Sequence, residues 1–255
     1  MAYNSLTEAP HNLKEGIDWL VALKGKDAEK SLAAMGDAIH KFLADKPVGK
    51  MNVPALEKVK LITKEFLEKP ALNYIWPANE LLRRFKGPLS KEHPGFFASC
   101  FGGTIESDYA NVVQTKNLTA ETIAKKLGKV VDGCEKFLEN VKNPDEYKSS
   151  YSSEASWEAS CAKDPEACAV VLVGIAPMLY AGLHSLLFAC NDEALKYVRS
   201  YPIRSSLEEI LRAVGYEGPE CCAKISGPYV LKALKGVNST VLSTIYDLAG
   251  FWAFY

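Results

Sequence analysis

The sequence lacks every short signature that would place common chemistry. It has no glycine-rich phosphate loop, no GxGxxG, no HExxH and no GxSxG elbow, so no motif marks a phosphate, a dinucleotide, a catalytic zinc or a serine nucleophile. Histidine is scarce: His11, His40, His93 and His184 are the four, and their separation along the chain gives no metal-ligand spacing. Charge of one sign is missing too. Thirty basic and 31 acidic residues are interspersed to a formal net charge of −1, which removes the electrostatic case for a nucleic-acid partner or an anionic membrane surface. The opening MAYNSLTEAPHNLKEGIDW has no basic segment leading into an apolar one, so a conventional secretory signal is not expected. No stretch alternates apolar and polar residues long enough to suggest a sheet. We expect no catalytic residues, no metal, no cofactor and no small-molecule substrate.

What the sequence does have is one long uncharged run. From Cys168 to Cys190 it reads CAVVLVGIAPMLYAGLHSLLFAC, long enough to cross a hydrocarbon core of about 30 Å as a helix. A helix that is apolar all round is equally expected at the centre of an all-helical domain. Gly174, Pro177, Gly182, His184 and Ser185 dilute the run, and its near flanks are acidic (Asp164, Glu166, Asp192, Glu193) rather than basic. These features favour the buried central helix over the membrane span.

Elsewhere the apolar residues recur at helical spacing. Asn12 with Glu15 resembles a capping box opening a helix through Leu13, Ile17, Leu20 and Val21 to a stop at Gly25. Further helices follow through Leu32 to Leu43, from Pro54 to Leu67, and from Pro77 through Phe85. Thr119 is a plausible N-cap for the clearest helix, through Ile123, Leu127, Val131, Phe137 and Val141, and Asn143-Pro144 ends it. Asp164 caps a helix with Pro165 in its first turn that runs into the uncharged segment, with Pro177 as a kink site. Ser205 with Glu208 suggests another capping box, and short helices near 228–235 and 239–250 complete the set. The expected fold is all-α: a helical bundle with a long central apolar helix and antiparallel neighbours. We read 1–255 as one helical unit, with an internal boundary candidate at 86–105, where Pro88, Pro94, Gly95, Gly102 and Gly103 interrupt the pattern.

The seven cysteines point to an oxidising compartment without settling it. Cys161 and Cys168 bracket an Asp-Pro-Glu turn and can close a small disulfide loop, while adjacent Cys221 and Cys222 are placed to reach different partners rather than each other. Cys134 lies on an apolar helix face, where a thiol behaves as a small hydrophobe. Two N-glycosylation sequons begin at Asn117 and Asn238. His184, inside an apolar helix, reads as a core histidine rather than a base. Cys190 is six residues from it, off the one-turn spacing of a nucleophilic pair. The aromatic ending Phe251-Trp252-Ala253-Phe254-Tyr255 is expected to dock the last helix into the core.

The opening YNSLTEAP followed by NLKEGIDWL, the segment KVVDGCEKFLENVKNPDEY from Lys129 to Tyr147, and the stretch from Tyr151 through SCAKDPEACAVVLVGIAPMLYAGL to Leu183 resemble the variant erythrocyte surface antigen family of Babesia parasites. The resemblance touches both halves of the chain. It implies a polymorphic antigen exported to the infected red-cell surface, lacking enzyme activity and a conventional signal. Such an antigen serves antigenic variation, adhesion and immune evasion by binding a host cell-surface protein receptor, such as a leukocyte inhibitory receptor. A second subunit of the same family is a further candidate partner. Full-length members carry a membrane span near the C-terminus, so this chain is expected to be a short member or an ectodomain fragment whose anchoring segment is not evident.

Under that resemblance the contact surface is expected in the unmatched regions 86–105 and 187–232. Tyr197, Arg199, Tyr201 and Arg204 are the candidate receptor-binding residues, since Tyr and Arg are favoured interface anchors. The alternative from a different class is an intracellular helical scaffold or interaction protein with all thiols reduced and no catalytic activity. A small enzyme with a convergent site would require a deep polar pocket at a histidine.

Overall fold

Capping side chains mark where several of the helices begin. The computed structural model of the chain describes residues 2–87, 106–195, 205–220 and 226–255. Its first four helices are α1 (Leu13–Lys24), α2 (Ala28–Leu43), α3 (Pro54–Leu67) and α4 (Ala78–Lys86). A 3₁₀ turn at Glu106–Asp108 leads to α5 (Val112–Thr115), α6 (Ala120–Val141), α7 (Trp157–Ser160) and α8 (Pro165–Leu195). The chain then forms α9 (Leu207–Ala213), α10 (Gly227–Ala233), a 3₁₀ turn at Leu234–Gly236, α11 (Ser239–Leu248) and α12 (Phe251–Phe254). The fold is all-α around one long apolar helix, as the periodicity implies; a parallel β-bridge joins Tyr3 to Tyr151.

Three expected caps are present. Asn12 accepts from the Glu15 amide at 2.9 Å, Thr119 from Thr122 at 3.1 Å and Asp164 from Ala167 at 3.2 Å, each satisfying an amide that has no partner in the first turn. Two details differ. The Glu15 carboxylate does not return to Asn12 N but accepts from His11 N at 2.7 Å and from the Tyr3 hydroxyl at 3.0 Å. The second capping box is one residue later than expected, formed by Ser206 and Glu209. The reason lies outside the helix: Ser205 is hydrogen-bonded to the Tyr74 hydroxyl, and Leu207 must be the first helical residue to reach the core.

Helix α8 occupies the centre. It packs against α1, α2, α3, α4, α9, α10 and α11, and every residue from Cys168 to Leu183 is buried. Its span Pro165–Asn191 is long and apolar enough to cross a membrane, yet 89% of its most apolar window is buried inside the fold. Burying a Leu, Ile or Val side chain contributes about 1.5–3 kcal/mol relative to leaving it exposed, so this helix organises the rest. Close approach is achieved through glycine. A Cβ at Gly174 would lie 2.5 Å from Val59 Cγ1 of α3, and one at Gly182 would lie 3.1 Å from Leu13 Cβ of α1.

Helix α8 continues through Pro177, which lacks the N–H that would bond the Val173 carbonyl. One residue on from that carbonyl, the Thr63 hydroxyl of α3 donates to the Gly174 carbonyl at 2.7 Å, tying the two helices together at this level.

The aromatic ending is core, as expected: all five residues from Phe251 to Tyr255 are buried. The buried Lys60 ammonium donates to the Phe254 carbonyl and lies 4.5 Å from the centre of the Tyr255 ring. Arg84 pairs with Asp108 through both of its terminal nitrogens, Nη2 at 2.8 Å from Oδ2. Tyr246 donates to the same carboxylate at 2.7 Å, and the guanidinium carbon stands 4.3 Å from the Phe251 ring centre. The pair joins α4, α11 and α12 through the turn at Glu106–Asp108. Removing one partner of such a buried, hydrogen-bonded pair typically costs about 3–5 kcal/mol, because the other charge is left uncompensated.

Candidate interaction surface

Tyr180, His184 and Phe188 stand four residues apart along α8 and so share one face. Along that face the helix rises out of the core. Tyr180 is 7% exposed, His184 is partly exposed and Phe188 is 41% exposed. Trp76, in the link between α3 and α4 and 51% exposed, meets His184 edge-on with ring centres 4.9 Å apart. On the other side Tyr180 lies 4.6 Å from the same imidazole. Burial lowers the His184 pKa from 6.5 to about 4, so the ring is neutral at pH 7. In contact with two aromatic rings it acts as packing, and among the described residues no carboxylate pairs with it.

A groove of about 510 Å³ opens beside Leu187, on the face of α8 next to Phe188. Pro228 and Leu231 of α10, with Leu234 and Val237 after it, supply the apolar wall. Lys232 and Lys235 also line it, and both are exposed. Among the described residues neither ammonium forms an ion pair.

No protein-family model matches this chain, and no curated protein or solved structure matches it either. The surface must therefore be read from its own chemistry.

The expected receptor-binding residues Tyr197, Arg199, Tyr201 and Arg204 lie outside the described residues, as do Cys100, Cys221, Cys222 and His93. Cys161 and Cys168 stand at disulfide distance, with Cα atoms 5.9 Å apart, and both are fully buried. Cys134 is buried on α6 and burial pushes its thiol up to about 12, which leaves it an unreactive apolar side chain.

Both sequon asparagines are exposed, and both triplets also have structural work. Asn117 takes a positive φ of 48° that asparagine tolerates better than most residues. Two residues on, Thr119 caps α6. Asn238 caps α11 by accepting from Val241 N at 3.1 Å. Among the described residues no group of three metal-ligating side chains converges. Sequence reasoning missed the aromatic strip. The spacing of Tyr180, His184 and Phe188 was available to find it, whereas nothing local to Trp76 indicates that it packs over 100 residues away.

Proposed function

We propose that this chain is an exported, non-catalytic helical binding domain: a variant surface antigen of a red-cell parasite, displayed on the infected erythrocyte and binding a host cell-surface protein receptor. The observation that carries this reading is the Cys161–Cys168 pair. Disulfides persist in oxidising compartments and are rare in the reducing cytosol. Here the bond staples the segment that enters α8, and both sulfurs are sequestered from reductants. The family comes from the resemblance of the opening segment and of residues 129–147 and 151–183. The partner class comes from that resemblance together with the exposed Trp76, Phe188 and the adjacent groove, which are apolar surface of the kind that protein contacts use.

Recognition on this reading is binding by shape. Helices fixed by a shared core present their exposed side chains already ordered, so little conformational entropy is lost on association. On this reading sequence variation is accommodated at exposed positions and not along the stretch of α8 from Cys168 to Leu183, where every residue is buried.

The test has two arms. Thiol titration of the denatured, non-reduced chain is expected to find at most five of the seven cysteines free, since two are in the bond. Seven free thiols would remove the exported reading. A binding screen of the oxidised 1–255 chain against host cell-surface receptors, including endothelial adhesion molecules and inhibitory leukocyte receptors, is expected to return a direct interaction. Binding to none would remove the adhesive role and leave only the antigenic one.

A further inference from the structure

The groove beside Leu187 combines an apolar wall with two unpaired ammonium groups, and that combination selects a type of partner. We propose that it seats an acidic amphipathic helix of a partner protein, with apolar side chains entering the groove and carboxylates one turn apart meeting Lys232 and Lys235. This rests on the binding-domain reading above but not on export or on any particular receptor.

The volume of about 510 Å³ lies within the roughly 300–1,000 Å³ of sites that hold a ligand or a few anchoring side chains. The groove is open to solvent rather than enclosed, so a partner chain can lie across it, whereas an acyl chain would remain wet on one side. Leu187 and Leu231 are half-buried, and Leu234 and Val237 close the wall beneath them. A partner's leucine or phenylalanine would complete the burial of the first two.

The charges supply the register. Lys232 lies in the last turn of α10 and Lys235 three residues on, in the 3₁₀ turn that follows, so the two residues are about one turn apart. That spacing matches carboxylates at i and i+3 or i+4 on a facing helix. A lysine near a helix C-terminus has a local explanation in the helix dipole. It does not account for an apolar groove running alongside. Helix-in-groove docking with charged flanks is a standard mode of peptide recognition.

The experiment uses the full 1–255 chain against a displayed library of amphipathic helices whose polar positions are randomised. Enriched clones are expected to carry large apolar residues with Asp or Glu one turn apart. Their affinity is expected to fall about tenfold or more for a Lys232→Glu, Lys235→Glu double variant with unchanged helical circular dichroism. Exchanging the peptide's acids for lysine is expected to restore binding to that variant. Enrichment without acidic bias, no enrichment, or equal binding by the wild type and the double variant would overturn the proposal. So would lysine-dependent uptake of oleate vesicles in place of any peptide. If a host receptor binds wild type and double variant alike, the groove assignment fails while the receptor reading stands. If acidic helices bind but no host receptor does, the reverse holds.

Discussion

From Cys168 to Leu183 helix α8 is buried at every position, whereas from His184 to Phe188 one of its faces emerges beside Trp76 and a groove edged by unpaired lysines. Both parts are uncharged and rich in apolar residues. What separates them is the surroundings: α1, α3, α11 and the disulfide close over the first part on every side, whereas in the second and just past it Ser185, Leu186, Ala189 and Cys190 stay buried while the face of Phe188 is left uncovered. Apolar sequence therefore serves stability at one end of the helix and offers contact surface at the other.

The largest expected effect tests the buried end. Leu179→Ala removes a fully buried side chain wedged against Gly16, and a loss of about 3 kcal/mol is expected in urea denaturation. A loss below about 1 kcal/mol would mean that this part of α8 is not packed as described. Next comes the staple. Replacing Cys161 and Cys168 with serine opens a loop of sequence separation 7, and about 2–3 kcal/mol is expected to disappear from the unfolding free energy. Matched stability of the oxidised and serine forms would deny the bond a role in holding the entry to α8.

His184 marks the border between the two parts. Its pKa is lowered from 6.5 to about 4 by burial, so between those values the unfolded chain binds a proton that the folded chain refuses. The contribution is complete above pH 6.5 and is lost as the pH falls through 4. Compared with His184→Gln, the wild type is expected to lose on the order of 2 kcal/mol more between pH 7 and pH 4, read by denaturation at the two pH values. Parallel pH profiles for the two proteins would place the imidazole in solvent. The smallest effect is expected at the exposed end, where Phe188→Ser should alter stability by less than about 0.5 kcal/mol. A large loss there would erase the contrast between the ends.

Much of the scaffold was legible in the sequence because its determinants are local. Asn12, Thr119 and Asp164 cap helices through amides three residues away. The stripe through Ile123, Leu127, Phe137 and Val141 is buried on α6. The disulfide pair was legible for the same reason, its cysteines being seven residues apart around a turn. The shift of a capping box from Ser205 to Ser206 shows the limit: a hydrogen bond to Tyr74, 131 residues away, decides which serine is available. The candidate surface was less legible still. It brings Trp76 against His184 and gathers Leu187 with residues after 227, and no spacing rule connects them.

By itself the sequence determined that this chain is helical, where most of its helices begin and end, and that one helix is too apolar to face water. Those properties depend on capping, periodicity and composition within a few turns. Only the tertiary structure decided that α8 is covered by seven other helices, that Arg84 and Asp108 meet, and that the face carrying Phe188 is left open. Contacts between distant segments depend on how whole faces fit together, and an apolar run carries no record of which partner will bury it.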